Sequence, residues 1–100
     1  SGGLMATHMG SFTNIPLAFF TNARAPRMTI DPNGNVGIGT TAPGGQLEIN
    51  GGIRLNPVTA KQPVCEASTR GMLWVIQSNP KDSVQACLMD NNTFAWRTIY

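Results

Sequence analysis

The sequence predicts an all-β chain, an intertwined homotrimeric fibrous β shaft over residues 12–56 followed by a small β-meander tip over residues 57–100. Three observations lead to the all-β expectation, and the trimeric assembly rests on a shortage of buried side chains. Met28/Ile30, Val36/Ile38, Leu47/Ile49 and Ile53/Leu55 are apolar pairs spaced i, i+2, the period of a strand with one buried face. Turn residues crowd the gaps between these pairs, in a chain whose 100 residues include 11 Gly and 7 Pro. Beyond the pairs, Gly71–Ile76, Val84–Met89 and Phe94–Tyr100 are strand-like in aromatic and β-branched content. No helical i, i+3, i+4 stripe runs longer than a single turn.

Taken in order, Ser1–Ser11 matches a cloning remnant. His8-Met9 and Gly10-Ser11 are what common restriction sites leave behind, and a leading Ser1 fits a protease scar. Setting residues 1–11 aside also sets aside His8, the only histidine, as an acid, base or metal ligand. Ile15–Phe20 and Asn22–Pro26 form a separate lead-in, in which Phe19-Phe20 either caps the axis of an oligomer or belongs to a preceding shaft. Within Asp31–Asn35, Asn33-Gly34 is a hairpin signal, because a type I′ turn needs positive φ at both central residues. Thr41–Gly45 and Asn50–Gly52 are further turns.

Each expected shaft strand offers only two inward side chains. Met28, Ile30, Val36, Ile38, Leu47, Ile49, Ile53 and Leu55 together are too few to offset the backbone entropy of ordering the segment. Three copies wound about one axis bury the same stripes against one another and add ladders between chains. These eight residues are therefore the expected trimer core. Asn56–Pro63 reads as a linker. The three strand-like runs after it form a meander with turns at Asn79–Asp82 and Asp90–Thr93, close to the smallest sheet that is stable on its own.

Composition excludes several functions. Charged residues are 12% of the chain and the net charge is +2, without a run of like charges, so an electrostatic nucleic-acid module is not expected. No apolar stretch approaches about 18 residues, so no membrane-embedded segment is expected. No cationic stretch followed by an apolar one opens the chain, and no signal peptide is expected. Leu, Ile, Val and Phe make up 22 of the 100 residues, just above the share below which chains tend to stay unfolded.

Cys65 and Cys87 are the only cysteines, too few for a structural zinc site and not spaced as Cys-x-x-Cys. A meander brings the residue before its first strand close to its second strand, so the favoured reading is a disulfide within one chain that staples a tip with little core. Buried free thiols and a reactive thiol are the alternatives. Gly34-Asn-Val-Gly-Ile-Gly39 contains a Gly-x-Gly, but Thr40–Pro43 follows instead of a helix, so close backbone packing is favoured over a phosphate cradle. Asp31, Glu48, Glu66, Asp82 and Asp90 are scattered, and paired carboxylates for glycoside hydrolysis would have to come from different chains. No metal and no cofactor are expected. Asn91-Asn92-Thr93 fits both a glycosylation sequon and an Asx turn, with the turn favoured. Trp74 and Trp96 are expected to pack across strands over the cysteines rather than stack on sugars. Arg70, Lys81, Arg97 and Tyr100 are the candidate receptor-binding residues, offering charge-assisted hydrogen bonds or a stacking face, with Lys81 in a loop.

Arg27-Met-Thr-Ile-Asp-Pro-Asn-Gly-Asn-Val-Gly-Ile-Gly-Thr-Thr-Ala-Pro43, followed by Gln46–Arg54, resembles a glycine-rich shaft segment common in bacteriophage tail fibres and related bacterial fibres. In such proteins this segment often stands just ahead of a self-cleaving chaperone domain of the endosialidase type. Cys65–Trp74, Cys87 and Trp96-Arg97 look like a second, C-terminal tip module of the same proteins. No chaperone follows Tyr100, so the expected end is either a mature C-terminus or a truncation. The resemblance implies an extracellular virion tail fibre. It implies a homotrimer that presents a surface to a host cell-surface glycan or protein receptor and is not an enzyme, in surroundings where a disulfide persists. Two rival readings are a carbohydrate-binding domain of a bacterial surface adhesin and a fragment of a trimeric polysaccharide hydrolase.

Overall fold

The computed structural model describes residues 8–23 and 25–100. Residues 1–7 of the expected remnant, and Arg24 in the lead-in, lie outside the described residues. The described residues form seven strands in two sheets and no helix. The chain divides into two compact units, with the break between Ile53 and Arg54.

In the first unit, β1 (Leu17–Phe19), β2 (Met28–Ile30), β3 (Val36–Ile38) and β4 (Leu47–Ile49) form one sheet in sequence order. β1–β2 and β2–β3 are antiparallel, and β3–β4 is parallel. β1 recruits the lead-in, whose Leu17/Phe19 spacing is the same i, i+2 signal as in the strands that follow. The fourth expected shaft strand does not form. Residues 52–57 have no strand structure, Ile53 is 70% exposed, and Leu55 belongs to the second unit. Gly51-Gly52 and Pro57 flank this stretch, and strand interiors disfavour both residue types.

The β2–β3 hairpin forms where expected, but by a different turn. The Gly34 amide donates to the Asp31 carbonyl at 2.9 Å, which makes Pro32 and Asn33 the central pair. Asn33 is not among the positive-φ residues, whereas Gly34 lies at φ 88°. Proline at the first central position suits types I and II alike, Asn33 without a positive φ selects type I, and Gly34 then closes a three-residue loop. The Asp31 carboxylate accepts from the Asn33 and Asn35 amides, both at 2.9 Å. The type I′ turn occurs instead between the last two strands, where Asn91 (φ 52°) and Asn92 (φ 63°) form a two-residue loop.

Residues 39–46 connect the parallel pair β3–β4, a short crossover that stays close to the sheet. The crossover lies over the face formed by Thr29 and Gly37, both buried, and its own Pro43 is buried as well. The missing side chain at Gly37 permits this approach, since a Cβ there would sit 2.3 Å from the Thr40 carbonyl oxygen. The Gly44 amide ties the loop down by donating to the Glu48 carboxylate at 2.6 Å. Gly37→Ala is therefore expected to destabilise the first unit by about 1–3 kcal/mol, the usual cost of overpacking. Faster amide exchange across β2 and β3 is the readout, and unchanged exchange would show that the crossover yields without cost.

The second unit is an antiparallel meander of β5 (Leu73–Ile76), β6 (Ser83–Asp90) and β7 (Thr93–Thr98). Its three strands coincide with the three strand-like runs of the sequence. Its core centres on β6, where Ala86 and Cys87 are buried. Residues 62–70 strap one face of this sheet. The Cys65–Cys87 disulfide, with Cα atoms 5.4 Å apart, pins the strap at its middle. The Trp96 indole N–H donates to the Pro63 carbonyl at 2.8 Å, and the Gln62 side-chain amide donates to the Gln85 side-chain carbonyl. At the outer edge of β5, Val58 adds a parallel bridge to Ile76.

Candidate functional site

Strand register assembles the main surface feature of the first unit. Leu17, Ile30, Val36 and Leu47 are consecutive register partners, as are Phe19, Met28, Ile38 and Ile49. Side chains two apart on a strand share a face, so these two rows place eight apolar side chains on one face of the sheet. The crossover covers the middle of the opposite face, at Thr29 and Gly37, while Ala18 and Glu48 at the ends of that row stay exposed. Among the described residues of the first unit, the apolar face has no comparable cover. None of its eight residues is buried, and Phe19, Ile38 and Leu47 are 43%, 38% and 61% exposed. Six of the expected trimer-core residues thus share this face with Leu17 and Phe19, which sequence reasoning left out. The i, i+2 spacing of Leu17 and Phe19 was the available signal. Ile53 and Leu55 lie off this sheet.

The four candidate receptor residues of the second unit do not form one site. The Lys81 ammonium stands 4.0 Å from the centre of the Tyr100 ring, so the β5–β6 loop and the end of the chain meet there. Tyr100 is 70% exposed. The loop is shaped by a cis Asn79-Pro80 bond and by the Ser78 amide, which donates to the Asp82 carboxylate at 2.9 Å. Arg70 stacks on the Phe94 ring at 5.9 Å, and Arg97 pairs with Asp90 at 3.5 Å across the last hairpin. That ion pair is largely solvated and worth little. Only Lys81 and Tyr100 are brought together with a polar head and an aromatic surface in solvent.

Trp74 and Trp96 meet edge to face at 6.4 Å, on the sheet face that carries Cys87, and both are half-buried. The Trp96 N–H is occupied by Pro63, which leaves this ring in a structural role. An apolar cleft of about 260 Å³ opens between Leu55, Asn56 and Val58 and the β5 residues Leu73, Trp74 and Val75. Asn56 is the only residue of this lining with a polar side chain apart from the Trp74 indole, so the cleft lacks the converging polar groups of a catalytic pocket. Gly34, Gly37 and Gly39 serve the hairpin, the crossover contact and the start of the crossover, respectively, and no helix follows them. Among the described residues, no three His, Cys, Asp or Glu side chains cluster as metal ligands.

No protein-family model matches the chain, and a search of curated proteins gives no significant match.

Proposed function

We propose that this chain is a structural and host-attachment module of a phage-type tail fibre, extracellular and homotrimeric, acting by assembly and surface presentation rather than by catalysis. The two-row apolar face of the first unit is the observation that supports the reading. Contiguous exposed apolar surface of this kind marks an interaction site. Three copies arranged about an axis would direct their apolar faces inward and enclose a shared core, leaving the crossover sides outward. The resemblance of Arg27–Pro43 and Gln46–Arg54 to fibre shaft segments favours this threefold arrangement over a stacked pair. Light scattering is expected to return three times the 10.7 kDa of one chain. A monomer in solution would remove the basis of the proposal.

Within the proposed fibre, the Lys81/Tyr100 pair is the contact for a host glycan or protein. A flexible ammonium beside an exposed ring suits hydrogen bonding together with stacking, and threefold repetition would multiply a weak contact through avidity. Lys81→Ala combined with Tyr100→Ala is expected to reduce adsorption to host cells at least about tenfold while the melting temperature holds. Undiminished adsorption would place the receptor contact elsewhere. Binding of the parent chain to a glycan array would favour a sugar receptor, the feature shared with the adhesin reading.

A further inference from the structure

Two asparagines in the chain precede glycine, Asn33 and Asn50, and their surroundings differ in the property that governs one reaction. We propose that Asn50 is a site of spontaneous deamidation and that the β2–β3 turn protects Asn33 from it. In this reaction the backbone nitrogen of the following residue loses its proton to base and attacks the asparagine side-chain carbonyl carbon. The bond from that carbon to the side-chain nitrogen breaks, ammonia leaves, and a cyclic imide remains. Water then opens the ring at either carbonyl to give aspartate or isoaspartate, with no oxidant or reductant needed. The backbone nitrogen must therefore be free to approach, and the following residue must not obstruct it.

Gly51 meets both conditions. It is exposed, its amide makes no hydrogen bond among the described residues, and open space surrounds both Gly51 and Gly52. Its φ of 151° lies in a region that glycine adopts readily. The Asn50 side chain is held only by a 3.5 Å contact from its Nδ2 to the Gly39 carbonyl, at the outer limit of a hydrogen bond. Gly34 is placed in the opposite way. Its amide is committed to the Asp31 carbonyl at 2.9 Å, and the Asn33 amide is committed to the Asp31 carboxylate at 2.9 Å. Attack at Asn33 requires the turn to open first.

The product matters to the fold because Asn50 donates its own amide to Ile38 at 2.9 Å, the bond that ends the β3–β4 ladder. Aspartate would turn a carboxylate toward the Gly39 carbonyl, and isoaspartate would insert a methylene into the main chain directly after that bond. Deamidation therefore loosens the end of β4.

The test ages the intact chain in mildly alkaline buffer, digests it with trypsin and sequences the Met28–Arg54 peptide, which carries both sites, by tandem mass spectrometry. Asn50 is expected to convert roughly tenfold faster than Asn33 in the folded protein, a ratio set by the turn hydrogen bonds around Asn33. In concentrated urea the two rates are expected to converge. Gly51→Ala is expected to slow conversion at Asn50 without changing Asn33. Equal rates in the folded protein, or a difference that survives urea, would overturn the proposal.

Discussion

An Ile38→Asp chain is expected to run as a monomer under conditions where the parent runs as a trimer. Ile38 occupies the centre of the row Phe19, Met28, Ile38, Ile49 and is 38% exposed in the single chain. A carboxylate there can stay hydrated in one chain, so the four-stranded sheet should survive the change. In the proposed trimer three carboxylates would be pressed together without partners, at several kcal/mol each for desolvation alone. The pair of readouts is decisive: mass should fall to that of one chain while far-ultraviolet circular dichroism stays close to the parent. An intact trimer carrying Ile38→Asp would show that this face is not the one that assembles.

Removing the disulfide by Cys65→Ala with Cys87→Ala is expected to cost the second unit about 3 kcal/mol. The two cysteines are 22 residues apart, and the chain-entropy relation for a loop of that size gives this magnitude. Alanine suits the test because Cys87 is fully buried, and a serine hydroxyl there would add a cost of its own. For a unit this small the melting temperature should fall by roughly 10–25 °C. Fluorescence reports it directly, since Trp74 and Trp96 are the only tryptophans and both sit in this unit. A fall of only a degree or two would mean that the strap is held by the Trp96–Pro63 and Gln62–Gln85 contacts without the covalent bond.

The meander was legible in the sequence because each of its strands is a run rich in apolar, aromatic and β-branched residues bounded by turn residues. The disulfide followed from that topology. The first unit was legible in its periodicity but not in all its boundaries. The apolar run Ile15–Phe20 hid the alternation of Leu17 and Phe19 behind Pro16 and Phe20. Ile53/Leu55 carried the right spacing, yet an i, i+2 pair forms a strand only where a neighbour presents a free edge in register. The hairpin showed a similar competition. Pro32 fixes its own φ, and with the Asp31 carboxylate ready to accept two amides, the turn closes one residue earlier than Asn33-Gly34 alone suggests. The parallel pairing of β3 and β4 depends on Gly37 admitting the Thr40 backbone, a tertiary contact that local pattern does not encode. Among the candidate receptor residues, charge and exposure were readable, but the meeting of Lys81 with Tyr100 depended on how the chain returns past the β5–β6 loop.

The disulfide joins two cysteines of the same chain, and the strap contacts it anchors are likewise made within one chain. Folding of the second unit is therefore first order in the chain, with an external oxidant taking the two electrons of the thiols, and its rate constant does not depend on how much protein is present. Among the described residues the apolar rows of the first unit are not fully buried, so in the proposed assembly their burial is of higher order and sensitive to dilution. Newly made chains would pass through a species with a folded second unit and an uncovered apolar face on the first, whose lifetime lengthens as concentration falls. Such a species is open both to productive encounter and to capture by any other apolar surface, which makes the concentration of chains at the site of synthesis a determinant of yield.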